Sequence, residues 1–185
     1  WVLTWDAENR LVQMESRTDA PTGSKLKLLF GYDAQGRRIS KTVSNWVSGN
    51  WQLGTSNKFL YDGWNLLAEL DSNNVLVRSF VWGSDLSGSL QGAGGVGGLL
   101  QMAYYGSQTT NCFAAYDGNG NVVALVNAAD GNTVANYEYD PFGQTIRATG
   151  LMAKYNPLRF STKYQDDESD YRYYGYRSYN PSSGR

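Results

Sequence analysis

Tyr32-Asp33-Ala34-Gln35-Gly36-Arg37-Arg38-Ile39 decides how this chain folds, because the same figure returns along its whole length. An aromatic comes first, then an Asp whose side-chain oxygen can cap a turn. Gly or Asn follows to supply positive φ, and then an apolar or β-branched run. That order describes the end of one strand, a reversal and the start of the next. Trp5-Asp6-Ala7-Glu8-Asn9-Arg10-Leu11 and Tyr61-Asp62-Gly63-Trp64-Asn65-Leu66-Leu67 repeat it. So do Tyr116-Asp117-Gly118-Asn119-Gly120-Asn121-Val122-Val123 and Tyr139-Asp140-Pro141-Phe142-Gly143-Gln144-Thr145-Ile146, with a weaker copy at Trp82-Gly83-Ser84-Asp85. The Asp residues fall at 6, 33, 62, 85, 117 and 140, so the spacing wanders between 23 and 32 residues. A strand–turn–strand unit of that size cannot bury its apolar face alone, so copies must stack. The residues expected to carry the repeat are Trp5, Asp6, Tyr32, Asp33, Gly36, Tyr61, Asp62, Gly63, Tyr116, Asp117, Gly118, Gly120, Tyr139, Asp140 and Gly143.

Two complete hairpins can be read between these copies. One runs Leu66–Leu70, turns at Asp71-Ser72-Asn73-Asn74 and returns over Val75–Trp82; the other joins Val122–Val126 to Thr133–Tyr139. No stretch of 12 residues keeps a 3.6-residue apolar period clear of Gly, Pro or turn clusters, so the chain is expected to be nearly all β. Residues 1–185 read as a single β unit with a Gly-rich loop at about 86–98. Net charge is −1, with 16 Lys and Arg against 17 Asp and Glu, so no global field draws nucleic acid or anionic lipid. Aromatic residues make up 14%, which suits wide sheets whose faces need flat amphipathic cover. The uncharged stretch Leu86–Tyr116 is rich in Gly, Ser, Gln and Thr and reads as loop and strand, not as a membrane span.

The ordered set of tyrosine-aspartate copies resembles the Rhs/YD-repeat family over essentially the whole chain. The resemblance is carried by Trp82–Leu100, by the Tyr116–Val126 copy and by Tyr137-Glu138-Tyr139-Asp140-Pro141-Phe142-Gly143. Arg159-Phe160-Ser161-Thr162-Lys163-Tyr164 and the closing Tyr173–Arg185 belong with them. Two departures are visible: Ser178 stands where the family has an aromatic, and Asp170-Tyr171-Arg172 replaces a more apolar, Gly-containing turn. The resemblance implies a β-hairpin ribbon that spirals into part of a hollow shell, with 151–185 as the start of the repeat-associated core segment. It implies a covalently linked C-terminal effector as the enclosed partner and neighbouring repeats of the same shell as contacts. Open strand edges leave self-association available as well. It implies a secreted or cell-surface toxin exported by a bacterial secretion system and used in bacterial competition. The family's self-cleavage motif would lie beyond Arg185, and the chain opens on Trp1 without a Met, so it reads as an excerpt carrying wall without payload and is not expected to be an enzyme.

Other chemistries were weighed on their residues. The chain has no His, which removes Ser-His-Asp, Cys-His and His-ligated metal sites together. Cys112 is alone and reads as a small buried hydrophobe. Gly92-Ala93-Gly94-Gly95-Val96-Gly97 matches the dinucleotide pattern, but Leu99–Tyr105 is too short to be the helix such a site needs. Asp117-Gly118-Asn119-Gly120-Asn121 opens like a calcium loop and then places Val122 and Ala128 where Gly and Glu are required. Asp166, Asp167, Glu168 and Asp170 offer carboxylates for glycosidase chemistry, yet a local acidic run reads better as a solvated turn. The bases and aromatics interleaved after Lys154 fit strand faces better than nucleic-acid stacking. No cofactor, metal, nucleic-acid partner or membrane span is therefore expected. The rival reading is an extracellular adhesion or carbohydrate- or protein-binding β module that grips through exposed Trp46, Trp51 and Trp64.

Overall fold

The computed structural model describes residues 1–185. Twelve strands form one antiparallel sheet in strict chain order: β1 (Val2–Trp5), β2 (Leu11–Glu15), β3 (Leu26–Tyr32), β4 (Arg38–Val47), β5 (Asn50–Asp62) and β6 (Asn65–Asp71), followed by β7 (Leu76–Trp82), β8 (Leu99–Tyr105), β9 (Thr109–Tyr116), β10 (Val122–Asn127), β11 (Thr133–Tyr139) and β12 (Thr145–Thr149). The all-β expectation is met, and both hairpins read from sequence are present as β6–β7 and β10–β11. Because strands alternate in direction, the connections after β1, β3, β5, β7, β9 and β11 all lie at one end of the sheet. Those connections hold Asp6, Asp33, Asp85, Asp117 and Asp140, and Asp62 ends β5 beside its own. One tyrosine-aspartate copy is thus one hairpin, and its variable spacing is absorbed by arm length and by the long glycine loop between β7 and β8.

The sheet's inner face is covered by the chain's own C-terminal segment. Residues 150–185 cross it with little regular structure, a single 3-10 turn at Phe160–Thr162 and then β13 (Tyr164–Gln165), β14 (Arg172–Tyr173) and β15 (Ser178–Tyr179) as a small second sheet. Alternation along the strands aims Phe59, Leu66, Phe80, Met102, Cys112, Leu125 and Ala135 at this face, where Met152, Ala153, Leu158, Tyr164 and Tyr173 meet them in one buried cluster. A smaller cluster of Leu11, Met14, Leu28, Phe30 and Val43 fills the space behind β2–β4. Leu60, Val81, Leu100 and Phe113 point the other way and stay exposed. No helix is long and apolar enough to cross a membrane, which does not bear on crossing by strands.

Candidate functional site

The recurrent site is a turn followed by a lock. At Asp33, Oδ1 accepts the backbone N–H groups of Gln35 and Arg37, both at 2.9 Å. Asp6 does the same for Glu8 and Arg10, Asp117 for Asn119 and Asn121, and Asp140 for Phe142 and Gln144. Three residues beyond each Asp the backbone turns left-handed, at Asn9 (φ 59°), Gly36 (79°), Gly120 (75°) and Gly143 (86°). The ladder shifts by one residue just there, so Tyr32 pairs with Arg38 and Tyr139 with Thr145. This is a type I turn closed by a glycine or asparagine bulge, which adds the twist that hairpins need. The position that requires positive φ is therefore Gly120, whereas Gly118 does not adopt it. Asp62 also departs from its sequence reading. Asp62 and Asn65 flank a two-residue turn with Gly63 at φ 54°, and the Asp62 main-chain carbonyl accepts from Gln91. Sequence reading missed Asp71, which caps the opposite end of β6 in the same way without an aromatic before it.

The aromatic of each copy locks its hairpin to the one before. Tyr32 Oη donates to the Leu11 carbonyl at 2.7 Å, Tyr61 to Arg38 at 3.0 Å, Tyr116 to Leu99 at 2.5 Å and Tyr139 to Val122 at 2.6 Å. Trp82 serves through its indole N–H, 2.7 Å from the Leu66 carbonyl. In every case the acceptor sits at the start of the preceding return strand, where the bulge interrupts the ladder. The rings are part-buried and pack on the main core, and burial raises the phenol pKa of all four tyrosines. Arg10 and Arg37 pair with their own turn Asp residues at 2.7 Å, and Arg37 reaches on to the Gly63 carbonyl of the next turn. Trp5 opens the series and stays largely exposed.

The glycine loop is tightly packed around Asp85. Its carboxylate accepts the N–H groups of Ser87, Ala93 and Gly95 and the Ser87 hydroxyl. Burial opposes the charge, but the Ser87 hydroxyl and the N–H groups of Gly95, Ser87 and Ala93 outweigh it and pull the carboxyl down to about 2. The amides that a phosphate would use are thus occupied by the protein's own anion. Gly97 N–H bonds Thr162 Oγ1, and that hydroxyl donates to the Gly120 carbonyl, fastening loop, turn and C-terminal segment together.

A buried charge cluster holds the C-terminal segment to the sheet. Within the acidic run Asp167 and Asp170 are exposed, as a solvated turn would have them, but Asp166 is only 3% exposed. Its carboxylate meets Arg38 at 2.6 Å and Lys41 at 3.1 Å, while Lys41 also reaches Glu168. The Arg38 guanidinium lies against Phe30, Phe59, Tyr164 and Tyr173. Beside it, buried Glu69 takes bonds from Arg78, Asn57 and Tyr164. Burial alone would raise the Asp166 carboxyl, but Arg38 and Lys41 hold it below its ordinary value. The sequence signal for this cluster is weak: cations inside the β-prone run after Asp33, and acids concentrated some 130 residues later. A cavity of about 240 Å³ remains between sheet, glycine loop and C-terminal segment, lined by Tyr61, Trp64, Trp82, Lys163, Tyr173 and Tyr174 among others. Trp64 is half-buried against Tyr176, and Trp46 packs edge-on to Trp51 with ring centroids 5.0 Å apart. Apart from Trp5, the repeat aromatics are part-buried against the core and do not form a solvent-facing patch.

No family model matches the chain. Among curated proteins it is 29% identical over 188 residues to the tRNA3(Ser)-specific nuclease WapA of Bacillus spizizenii and to the tRNA nuclease WapA of Bacillus subtilis. All of this chain is covered, but it spans only 7% of the length of those relatives. Among solved structures it superposes on a chain of the TcdB2-TccC3-Cdc42 complex with a TM-score of 0.68 at 19% identity, covering 99% of this chain and 8% of that one. The Tc holotoxin pore of Photorhabdus luminescens gives 0.66 at 18% identity, over 97% of this chain and 8% of that one. Over its full length the chain is similar to these WapA proteins, and it shares its fold with the TccC3-containing structures. The solved structures share its hairpin fold. The relatives also correct one expectation. Three matched WapA proteins are named as nucleases, which overturns the expectation that the protein is not an enzyme. That expectation was drawn from 185 residues, and a stretch covering 7% of a relative carries no view of the remainder.

Proposed function

We propose that this chain is a wall segment of an Rhs-type toxin, built to enclose a C-terminal effector of the same polypeptide. The observation that carries the reading is the unbroken series of backward locks, which joins twelve sequential strands into one continuous surface. A wall needs side-to-side continuity more than a catalytic cleft, and the repeat spends its aromatic, acidic and glycine residues on that continuity. The fifteen repeat residues are then structural parts of the wall, and 151–185 is the start of the core segment that closes its inner face. The names of the relatives support a nuclease as the class of effector carried by the parent protein. Delivery outside the producing cell, by export to the surface or medium, belongs to the same proposal.

The test is to purify the full-length parent natively and compare intact mass with a denaturing gel. A fragment from beyond Arg185 that co-elutes natively and separates only on denaturation is the expected result. A single uncleaved chain, with its C-terminal part open to protease, would sink the container reading and return the binding module to consideration.

A further inference from the structure

The β4–β5 hairpin outgrows its neighbours. β4 has 10 residues and β5 has 13, against 7 in each of β3, β6 and β7. β6 pairs only with Asn57–Asp62 of β5, so Asn50–Ser56 has β4 on one side and no strand on the other. The tight Ser48-Gly49 turn, with φ of 50° and 86°, makes Val47 and Asn50 the first ladder pair. Antiparallel alternation then turns the N–H and C=O groups of Trp51 and Leu53 away from β4. No turn or loop backbone bond reaches these residues.

The composition of this arm is unusual for an open edge. From Thr42 to Asn57 there is no charged residue and no Pro, although exposed edges are ordinarily guarded by one or the other. The one guard present is the register shift opposite Gly54, which leaves Asn50–Leu53 as a regular run. Leu53 is 66% exposed and Val47 is also exposed, beside the Trp46–Trp51 pair.

We propose that Asn50–Ser56 is a docking edge for an extended strand supplied by the parent polypeptide from outside residues 1–185. Main-chain pairing to Trp51 and Leu53 gives the contact, with the apolar arm covering alternate side chains of the incoming strand. The occupant is assigned to the same polypeptide for three reasons. The chain spans 7% of its relatives, so most of such a protein lies outside it. An uncharged edge left open is a template for aggregation, which favours a permanent, covalently tethered cover. An arm without charge also has nothing to steer a diffusing partner. The inference rests on the chain being part of a longer wall, but not on any cargo, since an empty wall would still need this edge covered.

Hydrogen exchange of the native parent protein, read by mass spectrometry, tests it. The Trp51 and Leu53 amides are expected to exchange at least about 100-fold more slowly than those of the exposed Gly106–Gln108 loop. Exchange as fast as that loop overturns the docking edge. A Leu53→Cys variant of the parent, carrying a short thiol-to-any-residue crosslinker, then identifies the cover. An intramolecular crosslink to residues outside 1–185 supports the proposal; a crosslink to a second copy, or none, overturns it. Fragment co-elution is a separate readout, so a failed cargo reading and a failed docking edge are distinguishable.

Discussion

Gly36 and Gly120 adopt the same left-handed backbone in equivalent turns, yet replacing them has different consequences. A Cβ at Gly36 meets nothing within 4 Å, so Gly36→Ala bears only the backbone penalty, about 1 kcal/mol. A Cβ at Gly120 would lie 2.7 Å from Val96 Cγ1 and 3.0 Å from Gly97 N, so Gly120→Ala must also push the glycine loop aside. Its expected loss is about 2–4 kcal/mol, and urea midpoints followed by Trp fluorescence compare the two variants directly. Equal midpoints would mean that the loop yields freely and is not packed as described. The lock can be dissected at Tyr139. Tyr139→Phe removes only the bond to the Val122 carbonyl and should lose about 1 kcal/mol. Tyr139→Ala also empties part of the core and should lose about 3–5 kcal/mol. Wild-type thermal stability in both Tyr139→Ala and Asp140→Ala would refute the structural role assigned to this copy.

At the scale of elements, the decisive joint is between β4 and the C-terminal segment. Asp166→Asn leaves buried Arg38 without its carboxylate and Lys41 with Glu168 alone, and removing one partner of such a cluster costs about 3–5 kcal/mol. The pH dependence follows from the direction of the shift. A carboxyl held lower in the folded state than in the unfolded chain contributes its stability above the unfolded value, about 4, and loses it as pH falls through the folded value. The C-terminal segment should therefore become protease-sensitive in acid, and Asp166→Asn should remove that part of the pH dependence. Asp167 is raised by burial and titrates in the opposite sense, so the difference between wild type and variant isolates the Asp166 share. Unchanged acid sensitivity in the variant would place the latch elsewhere. The hairpins were legible in sequence because each carries its turn chemistry within five residues, as Asp33 to Arg37 does. The latch was not, because Arg38 and Asp166 are 128 residues apart and only the folded sheet brings them together. Asp71 escaped for a simpler reason: the pattern sought an aromatic first, and Leu70 stands there.

For the whole molecule, the C-terminal segment is the second half of the core. Removing residues 151–185 would uncover Phe59, Phe80, Met102 and Leu125 at once, so the truncated chain should bind a hydrophobic dye and aggregate. A monomeric, dye-silent truncation would show that the sheet needs no cover. The backward direction of the aromatic locks has a further consequence for how such a protein is made. Each of the five repeat locks finds its acceptor in a hairpin already synthesised. The sheet's edge-to-edge order can thus spread from the N-terminal end as the chain emerges, each new hairpin settling on a finished edge, while the inner face waits for the C-terminal segment. The growing wall pairs each new hairpin along the edge of the last one, so a polypeptide that follows it meets a sheet already joined side to side.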